Sequence, residues 1–318
     1  MAAAICLGEL LIDFVPTVTG TGLTDAPAFI KAPGGAPGNV AVGLARLGVA
    51  SAFMGKVGDD AFGHFLADTL AEAGVDVGPL RFSTEARTAL AFVSLRADGE
   101  REFMFYRHPS ADMLFTPGEV DMDAIGQAKL LHFGSISLIG EPSRSATLYA
   151  VDAARAAGGL VSYDPNLRLP LWPDAEAARK GMLLGLSKAH IVKLSDDESA
   201  FLTGLNDLKA ACQALWHDDL KLMIVTRGRA GCVYFTPHFT GEVESFTVEA
   251  VDATGAGDGF VAGLLQGALA DPAIIQDEAR LREVCRFANA VGALATTQRG
   301  AIPALPNREQ VREFLNTH

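Results

Sequence analysis

The chain has 318 residues, 49% hydrophobic and 20% charged, which is enough for one large core and a small accessory unit. A net charge of −12 excludes a general nucleic-acid binder, because that function needs a basic face; a single nucleotide site needs only local positive charge. No apolar run approaches a membrane span, and Cys6, Cys212, Cys232 and Cys285 form no CxxC pair, which predicts reduced thiols in a cytoplasmic protein.

The apolar start of the chain lacks a basic region and is interrupted by Glu9 and Asp13, so it reads as a first strand and not as a signal peptide. In chain order, apolar runs over 5–8, 50–57, 130–134, 160–163, 190–194 and 222–226 predict buried strands. Amphipathic, Ala-rich stretches over 39–47, 62–73, 143–157, 175–186, 208–216, 257–269 and 281–297 predict helices. The alternation predicts an α/β fold with a mainly parallel sheet, helices on both faces, and ligands at the carboxyl ends of the strands. Two regions break it. The strand-like stretches 11–18 and 28–31, and 88–95 and 102–107 around the turn Ala97-Asp98-Gly99-Glu100, predict a small separate sheet. These insertions, at about 10–33 and 87–110, are expected to form a lid on a single domain spanning 1–318.

Several segments carry candidate chemistry. Asp13 follows the first strand, where a carboxylate either binds paired hydroxyls or is simply solvated. Gly34-Gly35-Ala36-Pro37-Gly38-Asn39 runs into a helix; paired glycines admit a polar ligand closely, and Asn39 offers a donor and an acceptor, unless it is an ordinary cap. Asp164-Pro165-Asn166-Leu167-Arg168 sets an acid, an amide and a guanidinium on one strand-end loop, where Asp164 is a candidate for Mg²⁺ through water, or forms an ordinary turn. Lys193 ends the next strand, and Glu198 lies in the first turn of the helix after it, where acids are favoured anyway. Thr226-Arg227-Gly228-Arg229-Ala230-Gly231 reads equally as a nucleotide-phosphate loop or a solvated hairpin turn.

The densest signal is Val251-Asp252-Ala253-Thr254-Gly255-Ala256-Gly257-Asp258-Gly259-Phe260. Small residues lead into a helix start, whose free N–H groups and positive dipole end form an anion site. An acid beside that cradle, Asp258, suits a proton acceptor next to a phosphate, as phosphorylation of an alcohol requires. The dipole is expected to keep Asp258 ionised and lower its basicity. Other chemistries lack their motifs: the chain has no GxxxxGK[ST], no GxGxxG in the first βα unit, no HExxH and no GxSxG.

Together these segments resemble the ribokinase-like (PfkB) family of sugar kinases. The resemblance runs from Gly8 to Pro306 and is anchored by the Gly34–Gly48 and Asp252–Asp258 segments; within the family the chain looks most like bacterial and plant fructokinases. It implies a Rossmann-like three-layer α/β/α domain with a β-sheet lid, and ATP-dependent phosphorylation of a sugar CH₂OH, most simply D-fructose to fructose 6-phosphate. Asp258 matches the family's base, and Gly255, Ala256 and Gly257 its anion hole. Asp13, Gly34, Gly35 and Asn39 match sugar-binding positions, with Arg107 and Arg168 at sugar or phosphate positions. Lys193, Thr226, Arg227, Gly228 and Gly231 fall at nucleotide positions. Glu198, with Asp164, falls at an Mg²⁺-linked position, where the family's Asn-x-x-Glu begins here with Ser195. Asp252, Thr254, Ala295, Gln298 and Gly300 match a monovalent-cation site for K⁺, although a hydroxyl residue of that site is replaced by Ala304. A homodimer through the lid is expected, with no nucleic-acid or membrane partner. Ribose, 2-keto-3-deoxygluconate and nucleosides are the alternative substrates, and a non-catalytic sugar-binding regulator is the alternative from another class.

Overall fold

The computed structural model describes residues 2–18, 20–95 and 101–318. Among the described residues there are thirteen strands: β1 (Ala4–Leu7), β2 (Leu11–Pro16), β3 (Phe29–Gly34), β4 (Ser51–Gly58), β5 (Leu80–Ser83), β6 (Ala89–Leu95), β7 (Arg101–Tyr106), β8 (Leu130–Phe133), β9 (Leu160–Tyr163), β10 (Ile191–Ser195), β11 (Leu222–Thr226), β12 (Cys232–Phe235) and β13 (Thr240–Val243). Nine of them form one sheet in the order β13-β12-β11-β10-β9-β8-β1-β4-β5. Every pairing from β5 across to β11 is parallel, and β12 and β13 close that edge as antiparallel strands.

The short apolar runs form central strands because both faces of the sheet are covered. Alternate side chains sort to opposite sides. Ala4, Cys6, Ile191, Leu222 and Ile224 join one core, with the helices Ala36–Arg46, Ala256–Ala270 and Glu278–Ala295. Ile5, Leu7, Val192, Leu194, Met223 and Val225 join the other, with Ser143–Ala156 and Ala175–Leu186. Burying each of the Ile, Leu, Val and Met side chains fully contributes about 1.5–3 kcal/mol, so the two cores hold the sheet from both sides.

Three strands, β5, β12 and β13, have no counterpart among the expected runs. β5 and β13 are short edge strands and β12 lies just inside β13; β13 reads Thr-Gly-Glu-Val with only Val243 buried, so no apolar run marks it. The helix expected over 281–297 spans Glu278–Ala295, because Asp277 caps it by accepting from the Arg280 N–H.

The other four strands form a separate sheet in the order β3-β2-β6-β7. β2 pairs β3 and β6 pairs β7, both antiparallel, and β2 runs parallel to β6. Asp13 lies opposite Ala32 on one side and Ala91 on the other, so small neighbours leave room for its carboxylate. The expected turn at Ala97–Glu100 lies outside the described residues. All four cysteines are buried free thiols, and among the described residues no helix is long and apolar enough to cross a membrane.

Candidate active site

Asp258 lies in the first turn of the helix Ala256–Ala270, whose cap residue Gly255 has φ 80°, a left-handed conformation that glycine adopts without strain. A Cβ at Gly255 would also press on Ala301, so this turn demands glycine twice over. Asp258 is buried, and its two oxygens accept from two different loops: Oδ2 from Asn39 Nδ2 at 2.7 Å and Oδ1 from Asn166 Nδ2 at 3.2 Å. Asn39 is therefore not a cap: Gly35 is the N-cap of the helix Ala36–Arg46, and the Asn39 side chain is turned to Asp258. The Asn39 Oδ1 is buried and has no partner among the described residues, leaving an acceptor open beside the carboxylate.

Burial pushes Asp258 up to about 6; the Asn39 hydrogen bond opposes that rise, Asp164 adds to it, and Lys193 and Arg168 oppose it. The helix dipole was expected to lower its basicity, and here desolvation outweighs it. The group is a stronger base than a free carboxylate yet remains mainly ionised at neutral pH.

On one side of Asp258 lie the expected sugar residues. Desolvation pushes Asp13 up to about 7 against the attraction of Arg168, and the Asp258 and Asp252 carboxylates push the same way. Gly34 faces the Asp13 carboxylate so closely that a Cβ there would collide with it. Gly34→Ala is therefore expected to leave the fold intact, displace Asp13, and lower kcat/KM for the sugar by about 10- to 100-fold; steady-state kinetics at varied sugar concentration checks this. Arg168 donates to the Leu167 carbonyl at 3.1 Å and lies near Asp13 and Asp258. Arg107 is placed differently from expectation. It is buried, and its Nε and one terminal guanidinium nitrogen bond Asp112 Oδ2 at 2.7 and 2.6 Å, so that edge of the guanidinium is spent on the protein.

On the other side a cavity of about 410 Å³ opens along Ala256 and Gly257. Thr226, Gly228 and Gly231 line it, and the same segment is the hairpin turn from β11 to β12. Two expected members lie elsewhere. Arg227 pairs with Glu242 at 3.0 Å, and Arg229 lines the cavity instead. Lys193 stands behind the anion cradle, 3.1 Å from Asp164 Oδ2 and directed at Gly257. Burial alone would lower the Lys193 pKa, but Asp164, Glu198 and Asp258 outweigh it and hold the ammonium charged.

Glu198 is a clamp and not an open metal ligand. Its Oε2 accepts from the Ser195 N–H and its Oε1 from the Leu167 N–H, each at 2.8 Å, while Ser195 Oγ accepts from the Glu198 N–H at 3.1 Å. This capping box explains why Ser195 serves at that position, and it ties the Asp164–Arg168 loop to the helix Asp196–Thr203. Among the described residues no group of three or more His, Cys, Asp or Glu is placed to hold a metal.

Asp252 joins the two segments expected at the monovalent-cation site. Its Oδ1 accepts from the Thr254 N–H and hydroxyl, and its Oδ2 accepts from the Gly300 N–H at 3.0 Å. Ala295 ends the helix Glu278–Ala295 beside them, and Gln298 lines a second cavity with Arg46 and Gln310. Two features escaped the sequence reading. Asn166, at φ 48°, was visible as an amide in Asp-Pro-Asn, but nothing marked it as a partner of Asp258. Ser245–Val248, Asn289 and Thr296 line the 410 Å³ cavity without any motif.

The model for pfkB family carbohydrate kinases matches residues 1–308. The chain is 58% identical to the probable fructokinase-4 of Arabidopsis thaliana, over 98% of this chain and 96% of the relative. It is 56% identical to fructokinase-2 of Solanum lycopersicum, over 98% and 95%. Among solved structures, a fructokinase with bound ATP from Xylella fastidiosa superposes with a TM-score of 0.92 at 38% identity, covering 100% of this chain and 99% of that one. A fructokinase double mutant from Vibrio cholerae in a fructose-, ADP- and potassium-bound form superposes with a TM-score of 0.89 at 37% identity, covering 99% and 98%. With its motifs, its two-sheet architecture and a carboxylate set between two binding regions, the chain belongs to the pfkB family of carbohydrate kinases.

Proposed function

We propose that the protein phosphorylates the terminal hydroxyl of D-fructose with ATP, giving fructose 6-phosphate. The observation that carries this reading is Asp258, fixed by Asn39 and Asn166 between the Asp13–Gly34 side and the 410 Å³ cavity. The relatives named fructokinases support the choice of sugar.

In this reading Asp13, the Asn39 amide and the Gly34-Gly35 backbone hold the sugar hydroxyls, and Arg168 assists. The cavity from Thr226 to Thr296 takes the nucleotide, with its γ-phosphate toward Gly255-Ala256-Gly257. Asp258 accepts the proton as the hydroxyl oxygen attacks phosphorus. The N–H groups of the helix start and the Lys193 ammonium stabilise charge on the transferring oxygens. Mg²⁺, when bound, neutralises phosphate charge, and K⁺ near Asp252 would stiffen the loop that carries the cradle. The β3-β2-β6-β7 sheet acts as a lid of the single domain, excluding water during transfer.

Asp258 must be ionised to act, so kcat should fall as the pH drops through about 6, the value to which burial raises it, and not near 4 as for a free carboxylate. A pH–rate profile checks this. The exposed apolar side chains Val15, Ile30, Met104 and Tyr106 on the lid favour a homodimer through that sheet; light scattering should return twice the chain mass, and a monomer would reject it. Four free thiols fit a cytoplasmic setting. The function itself is tested by ADP release from Mg-ATP with a panel of sugars. Fructose should give the highest kcat/KM. Preference for ribose, 2-keto-3-deoxygluconate or a nucleoside would reassign the substrate, and no release with any sugar would restore the non-catalytic alternative.

A further inference from the structure

Glu9 is a buried acid that the transfer chemistry does not use. It lies in Gly8-Glu9-Leu10, where the chain leaves β1 of the nine-stranded sheet and enters β2 of the lid. The return crossing, Gly34-Gly35-Ala36, runs directly against it. A Cβ on Gly8 would meet Pro37 at 2.7 Å, one on Gly35 the Glu9 carbonyl oxygen at 2.5 Å, and one on Gly38 the Leu10 side chain at 2.7 Å. Small residues thus let the two crossings touch backbone to backbone. Glu9 is 3% exposed, and its Oε1 accepts from the Ala36 N–H at 3.3 Å. Ala36 is the first residue of the helix Ala36–Arg46, and its cap Gly35 has no side chain to offer, so Glu9 serves an N–H that the helix itself leaves open. Glu9 Oε2 is buried with no partner among the described residues. The Arg107 guanidinium, just past β7, attracts Glu9 but is itself bonded to Asp112. A buried acid with one oxygen unsatisfied opposes stability, and an apolar side chain of similar size would avoid that cost. What it supplies in return is a fixed acceptor at the sugar-side turn.

We propose that Glu9 is a positioning residue for sugar binding, fixing the Gly34-Gly35 turn through its hydrogen bond to the Ala36 N–H. This rests on the reading of that turn as the place where the sugar hydroxyls are held. Gly34 lies tightly against the Asp13 carboxylate, so a small shift of the turn moves both sugar-side groups relative to one another. The base is held separately. Val40, Val42 and Leu44 anchor the rest of the helix in the core, and Asn39 is tied to Asp258. Loss of the Glu9 bond therefore weakens sugar binding and leaves the transfer step nearly intact. The acceptor, and not the charge, carries this role. Desolvation pushes Glu9 up to about 7, against its own backbone N–H and Arg107, so the neutral acid is well populated at neutral pH.

Two conservative variants of the whole protein separate reach from charge. Glu9→Gln keeps a carbonyl oxygen in place of Oε1 and removes the charge. Glu9→Asp keeps the charge and is one methylene too short to reach the Ala36 N–H. ADP release is measured with Mg-ATP and the sugar on which the wild type is most active, each substrate varied in turn, with a melting curve for each variant. In Glu9→Asp the sugar KM should rise about fivefold or more, the usual effect of losing one buried hydrogen bond. Its kcat and ATP KM should stay within about twofold of wild type, the pattern of lost ground-state binding. Glu9→Gln should restore the sugar KM to within about twofold of wild type. A wild-type sugar KM in Glu9→Asp overturns the positioning role. So does a Glu9→Gln as impaired as Glu9→Asp, or an ATP KM that rises in step with the sugar KM, which marks a general loss of structure. Those outcomes leave the assignment as a sugar kinase standing, whereas a wild type that releases no ADP with any sugar overturns that assignment and this role together.

Discussion

Asp258→Asn is expected to cut turnover by about 10²- to 10⁴-fold, the usual loss when a positioned proton acceptor is removed. Sugar binding should change little, because the isosteric amide keeps the side chain's shape and Asp13 and Gly34 stay in place. Stability should be retained or raised at neutral pH. The folded-state pKa of Asp258 lies near 6 because burial disfavours its charge. A carboxyl raised in this way favours the fold below its unfolded value, and that contribution is lost as pH rises through 6. At pH 7 the wild type therefore carries the cost of a buried charge that the amide removes. Steady-state kinetics together with a melting curve separate catalytic loss from unfolding, and near-normal turnover would remove Asp258 from the mechanism.

The second large effect is expected at Lys193. Its ammonium is buried against the buried Asp164 carboxylate, and Glu198 and Asp258 add to the field that keeps it charged. Lys193→Met removes one member of the pair and leaves Asp164 buried without its counter-charge, at a cost of about 3–5 kcal/mol in unfolding free energy. Adding Asp164→Asn should recover much of that loss, because the stranded charge is then gone as well. Activity should not recover, since the cation behind the Gly257 cradle is still missing. Urea denaturation of the single and double variants, paired with ADP-release kinetics, distinguishes the two roles; a single variant as stable as wild type would show that the pair is not energetically coupled.

Much of the architecture was legible in local patterns. The six central strands and the seven main helices announce themselves because a buried parallel strand is a short apolar run and an amphipathic helix repeats every 3.6 residues. The edge strand β13 escaped because it is mostly exposed and carries Thr240, Gly241 and Glu242 before Val243; β12, Cys232–Phe235, is largely buried and was a readable apolar run. The Gly255–Asp258 turn was legible for a similar reason, since a left-handed cap packed against Ala301 accepts only glycine. Partnership between distant side chains was not. Arg107 and Arg227 are both cations beside promising loops, yet Asp112 and Glu242 claim them. Glu198 fits a metal ligand by residue type and is spent instead on the amides of Ser195 and Leu167.

The sequence by itself determined the α/β class, the small second sheet and the pairing of an acid with an anion cradle, because turn chemistry and hydrophobic periodicity act over a few residues. Only the tertiary structure decided how Asp258 is held and how basic it is. Asn39 reaches it from 219 residues away in the chain, and Asn166 from 92. Its pKa depends on how much water the packed helices and sheet exclude. Such a value is set by a three-dimensional balance of desolvation, hydrogen bonds and neighbouring charges, and no local pattern in the chain encodes that balance.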